Sequence, residues 1–173
     1  MFAERGFGAV TVRQITSKAS VRLASIHYYF ASKENLFNEV ILRRASVINE
    51  HRGTLLDQID IKKLAKQDAL LAICRAFILP VTELSTGGDP GWKHYCRLIA
   101  ITALSSKSLV ETFSEFDETA TKFVKAIKLA LPEISEQNNF YAFQFLLGST
   151  ISTFAESTIM KQLSGGKYAA SDL

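Results

Sequence analysis

A chain of 173 residues that is 47% hydrophobic and 21% charged can bury a real core, and one or two small domains fit. The net charge of +3 names no partner by itself, but residues 1–45 carry seven Lys/Arg against three Asp/Glu and the remainder thirteen against fourteen, so the positive excess lies at one end. No apolar stretch reaches transmembrane length, and the start lacks a basic region followed by an apolar run, so a cytoplasmic location without membrane contact is expected.

Thr11 is a good helix N-cap, with Gln14 three residues on as in a capping box. Val12, Ile15 and Ala19 follow helical spacing and are expected to face inward. The run Lys18-Ala19-Ser20-Val21 closes this helix, with Val21 as a buried turn residue. A second short helix is predicted from about Leu23 to Tyr29, its inward seam set by Ile26 and Phe30. Tyr28 then points away from the seam, Ala24 and Ser25 lie outward, and His27 and Tyr29 sit on the flanks. That polar-aromatic face suits a major groove. Ser32 can cap a third helix, so that its free N–H groups and Lys33 point at a phosphate. Cap, turn, seam and second cap fall at helix-turn-helix spacing.

A continuous helix is predicted from Lys33 to His51, with Arg52-Gly53 as a possible stop, although helix could resume through Leu55, Leu56 and Ile59. A long helix from about Lys62 to Leu84 is apolar on more than one face, as for the centre of a bundle, and Pro80 should kink it or end it a turn early. The clearest loop is Thr86–Gly91, followed by a helix to about Leu104 and a short one near Leu109–Phe113. Two last helices, about Ser114–Leu131 and Glu136–Leu163, break at Pro132. Their apolar stripes include Phe116, Ala120, Phe123 and Ile127 on the first, and Phe140, Leu147 and Ile151 beside the small Gly148 on the second. These stripes could form a four-helix bundle with a second copy, or pack inside one chain.

The segment Phe2-Ala3-Glu4-Arg5-Gly6-Phe7, then Thr11, Ile15, Ala19, Val21, Ile26, Tyr28-Tyr29-Phe30 and Ser32–Leu36, resembles the DNA-binding domain of the TetR family of bacterial transcriptional regulators. The likeness covers roughly the first 45 residues. It implies an all-α chain: a helix-turn-helix DNA-binding domain over 1–45, then a helical ligand-binding and dimerisation domain over 46–173. It also implies a regulator, more commonly a repressor, that binds double-stranded operator DNA as a homodimer without a cofactor. By the resemblance, Thr11, Arg22, His27, Tyr28, Tyr29 and Lys33 sit where the family contacts operator DNA, and Leu23, Ala24 and Ser25 form the first turn of the recognition helix. Four features depart from the pattern. Ser20 replaces a common turn glycine, Arg22-Leu23-Ala24 replaces a more polar run, and His27 stands where Tyr is commoner. The family's first helix also normally extends about a dozen residues ahead of Phe2.

The family uses its middle helices for a ligand pocket, which makes Phe77, Trp92, Tyr95, Cys96, Phe143 and Leu147 candidate lining residues. Such walls would suit a small hydrophobic or aromatic effector, an acyl-bearing one included. Competing readings are an enzyme and a helical protein-binding module whose head no longer reads DNA. Against catalysis, His27, His51 and His94 are scattered, and no phosphate loop, nucleophile elbow or metal spacing occurs. Cys74 and Cys96 read as free thiols, with a redox pair as the lesser alternative.

Overall fold

The structure, a computed structural model, describes residues 1–103, 116–155 and 159–169. The helix expected near Leu109–Phe113 lies outside the described residues. The elements are α1 (Phe2–Arg5), α2 (Val12–Ala19), α3 (Leu23–Phe30), α4 (Lys33–Asp57), a 3-10 turn (Ile61–Lys63), α5 (Lys66–Thr86), α6 (Pro90–Ala103), α7 (Asp117–Ala130), α8 (Glu136–Phe154) and α9 (Ile159–Leu163), with no strand among the described residues.

Local chemistry sets the head. Thr11 Oγ1 accepts from the Gln14 N–H at 3.3 Å while Gln14 Oε1 accepts from the Thr11 N–H at 2.9 Å, a complete capping box. α2 ends in a Schellman turn: Val21 N–H bonds the Thr16 carbonyl and Ser20 N–H the Ser17 carbonyl. Ser20 takes the left-handed position, φ 55° and ψ 37°. A side chain there costs free energy that glycine avoids. Ser20→Gly should therefore raise head stability by about 1 kcal/mol, read as a higher melting temperature. A variant that melts lower would show that the Ser20 side chain contributes more than its backbone geometry costs.

The head core joins Phe2, Val10, Phe37 and Ile41 to Leu98 from α6. Its rings meet edge-on, with Phe2–Phe37 and Phe7–Phe37 centroids both 5.1 Å apart. Three expectations here need correction. Thr16, not Ala19, is the buried residue of α2; Ala19 is exposed, and Val21 is 46% exposed. Phe30 is half-buried beside a buried Ile26. For Ala19 the reason is packing: it borders an open groove with Ile15, Leu36 and Val40 rather than a closed core.

α4 runs through Gly53 to Asp57 instead of stopping at Arg52. Glycine in a helix costs about 1 kcal/mol, whereas burying Leu56 one turn later returns about 1.5–3 kcal/mol. Ile41, Ala45, Ile48, Arg52 and Leu56 all face inward, so α4 passes from the head core into the body. α5 likewise continues six residues past Pro80. The proline penalty of roughly 3 kcal/mol is offset because Ala76, Phe77, Pro80 and Val81 are all buried around it.

α5 is long and apolar enough to cross a membrane by length and composition alone, contrary to the sequence reading. In this fold it is the central helix, packed on α4, α6 and α7. Phe77 lies at the middle of the body core, 5.0 Å from the Phe123 ring and 5.6 Å from that of Phe143. α7 and α8 pair with each other, tied by Asn139 Nδ2, which donates to the Val124 carbonyl at 3.0 Å. The single helix expected over Glu136–Leu163 is two described helices, α8 ending at Phe154 and α9 starting at Ile159.

Candidate functional site

The outward surface of the head is assembled by α2, α3 and the start of α4. Tyr28 and Tyr29 are 83% and 73% exposed, with ring centroids 4.9 Å apart and planes nearly perpendicular. Tyr side chains this exposed gain little from burial, so folding alone does not account for the pair. Arg22 caps α3 without a side-chain bond to the helix; the Ser25 N–H bonds the Arg22 carbonyl at 3.0 Å, so the first-turn N–H groups without an intrahelical acceptor are those of Leu23 and Ala24. Leu23, Ala24 and His27 are exposed as expected, whereas Ser25 is half-buried where it flanks Ile26. Thr11 is exposed, and its capping bond uses only an acceptor lone pair, so the O–H remains a donor.

Between α3 and α4 the chain turns through Ala31 at φ 60°, ψ −42°. The Ser32 N–H closes back on the Phe30 carbonyl at 2.7 Å, a γ-turn. This conformation is strained for a residue with a Cβ. It places Ser32 so that its Oγ caps α4 by accepting from the Asn35 N–H at 3.0 Å. Lys33, at the first position of α4, rests its Nζ over the Phe7 ring at 4.1 Å. A cation at a helix N-terminus opposes the helix dipole, and an anion docked there would satisfy both.

A second site lies in the body. A cavity of about 500 Å³ opens between α4, α5, α6, α7 and α8. Phe77, Tyr95, Cys96, Phe143 and Leu147 line it, as the sequence reading expected. Trp92 does not. Its ring supports the Arg44 guanidinium at 4.4 Å, and Arg44 also bonds Asp89 at 3.1 Å, so Trp92 joins α4 to α6 outside the cavity. Tyr95 does the same from within, donating its hydroxyl to the Ile41 carbonyl at 2.9 Å. Burial holds the Tyr95 phenol well above its ordinary range and raises the Cys96 thiol to about 11, so both are protonated at neutral pH.

Several residues expected at a dimer interface lie elsewhere. Phe123 and Ile127 are buried in the chain's own core, against Phe77 and its neighbours. Phe116, Ala120, Leu147 and Ile151 line the cavity. Helical spacing shows that α8 carries an apolar stripe, not whether that stripe faces a second copy or the same chain. Phe140 does lie outward, 54% exposed, and Gly148 is half-buried with open space where a Cβ would point. The outward face of α8 also carries the exposed Tyr141 and Phe145, which the sequence reading missed. It missed Arg52 in the cavity wall too. Its signal was its place in the inward series Ile41, Ala45, Ile48, Arg52, Leu56.

A helix-turn-helix head on an all-helical body is the architecture of one-component transcriptional regulators. Residues 1–40 match the family model of bacterial regulatory proteins, tetR family, and residues 75–173 match that of the tetracyclin repressor-like C-terminal domain. The chain belongs to the TetR family of transcriptional regulators. It is 46% identical over 41 residues to the HTH-type transcriptional repressor KstR2 of Mycobacterium tuberculosis, in strains CDC 1551 / Oshkosh and ATCC 25618 / H37Rv. That stretch is 24% of this chain and spans only 20% of the relative's length.

Proposed function

We propose that this regulator is a cytoplasmic repressor that binds palindromic operator DNA as a homodimer and releases it when a small hydrophobic ligand enters the body cavity. The observation that carries the DNA reading is the solvent-facing Tyr28–Tyr29 pair beside two helix N-termini, Lys33 and Arg22. In this reading the N–H groups and cations take phosphates, while α3 enters the major groove. Leu23, 39% exposed at the start of α3, is suited to a thymine methyl rather than a hydrogen bond. Residues 1–45 form the DNA-reading unit and 46–173 the effector and dimer unit.

Effector release follows from the course of α4. Ile41 lies in the head core and Arg52 in the cavity wall, separated along the helix by about 16 Å. Tyr95 lines the cavity and bonds α4 at Ile41. A ligand that shifts α6 relative to α4 then changes the spacing of two heads that must reach successive major grooves about 34–36 Å apart.

Tyr28→Ala and Lys33→Ala should each weaken operator binding about tenfold or more while leaving thermal melting of the protein unchanged. The check is a mobility-shift titration on the DNA upstream of the protein's own gene, at two salt concentrations. Binding through several phosphates must weaken steeply as salt rises. Parental affinity in both variants would place the recognition surface elsewhere, and salt-insensitive binding would favour an apolar protein partner over DNA.

A further inference from the structure

Arg52 is the one cation lining the cavity among the described residues, and it is only 7% exposed. Its Nε donates to the Phe77 carbonyl at 2.9 Å, and its guanidinium stacks 3.8 Å from the centre of the Phe77 ring. These two contacts hold the guanidinium plane and leave the terminal nitrogens as donors. No described carboxylate forms an ion pair with it, and the neighbouring Tyr95 and Cys96 are protonated at neutral pH. Burial lowers Arg52 to about 10, so it keeps its charge at neutral pH. Asp117, the acid that shares the cavity lining, is exposed at the start of α7. The cavity therefore has mostly apolar walls, a buried positive charge without a counter-charge among the described residues, and an acid at an exposed edge. A buried cation lacking a partner is costly, and a ligand that supplies the partner recovers that cost on binding.

We propose that the effector is an amphipathic carboxylic acid, its carboxylate accepting from the terminal nitrogens of Arg52 and its apolar body lying along Phe77, Phe143, Leu147 and Phe154. The inference rests on the reading of this cavity as the effector site. The planar two-donor edge of a guanidinium matches the two coplanar oxygens of a carboxylate, which selects an acid over an alcohol or ester of the same shape. Because Arg52 belongs to α4, the anion engages the helix that continues into the head core.

The test is calorimetric titration of the full chain with two matched pairs, dodecanoate against methyl dodecanoate and 4-phenylbutyrate against its methyl ester. The parent is run beside Arg52→Met and Arg52→Lys, with melting curves for each. The parent should bind at least one acid roughly tenfold or more tighter than its ester. Arg52→Met should remove that preference while still binding the ester, and Arg52→Lys, which keeps the charge but loses the fork, should fall between. Equal or tighter binding of both esters by the parent would overturn the carboxylate inference and leave the effector cavity standing. An acid preference that survives in Arg52→Met would also overturn it, as would equal loss of acid and ester in a normally melting variant, which would make Arg52 a shaping residue only. If neither member of either pair binds the parent, the cavity reading itself fails, and the inference fails with it.

Discussion

Phe37→Ala is expected to destabilise the protein by about 3–5 kcal/mol, the largest effect of any single truncation in the head. Phe37 is fully buried and meets the edges of both Phe2 and Phe7, so its removal leaves a hole lined by rings that belong to two different segments. Small domains hold only about 5–15 kcal/mol in total, so a loss of this size approaches unfolding of the head. The expected result is a markedly lower melting point and loss of operator binding together. Phe30→Ala, at the seam that helical spacing sets with Ile26, should cost less because Phe30 is only half-buried. Equal losses from the two substitutions would contradict this ordering of the head core.

Phe145→Glu should convert the proposed homodimer to monomers and, with them, abolish the proposed tight operator binding. Phe145 is 74% exposed, and Phe140 and Tyr141, about one turn earlier on α8, are 54% and 50% exposed. Large apolar side chains clustered on one face mark an interaction surface, and a two-fold axis buries the same patch on both copies. A carboxylate there meets its own copy or an apolar wall. Dimerisation should weaken about a hundredfold or more, with the secondary structure of the monomer intact. Sedimentation measures the first effect and a mobility shift the second. A variant that sediments as a dimer like the parent would move the interface off this face.

The features legible from the sequence were those whose partners lie within one turn of helix. Thr11 with Gln14, Ser32 with Asn35, and Ser20 at the end of α2 are contacts between near neighbours, so residue type and spacing state them completely. The exposed Tyr28 follows equally from its angle relative to Ile26. These local rules were enough for the caps and turns of the head and, with the resemblance they carried, for the family, but not for which of Ala19, Val21 and Phe30 are buried.

Burial direction was different, because an apolar stripe says that a helix has an inward face without saying what that face meets. Phe123 and Ile127 read equally well as a partner interface and as core. The packing of Phe123 on Phe77, 46 residues away, decides for core. Trp92 looked like a cavity wall until Arg44, brought beside it by the antiparallel run of α4 and α6, took its ring face. Gly53 and Pro80 looked like helix ends, yet tertiary burial on both sides of each outweighs a penalty of about 1–3 kcal/mol. Arg52 is the clearest case: beside Gly53 it read as a stop. Only the convergence of α4, α5 and α6 makes it a buried cation in a cavity wall, because desolvation depends on neighbours far away in the chain.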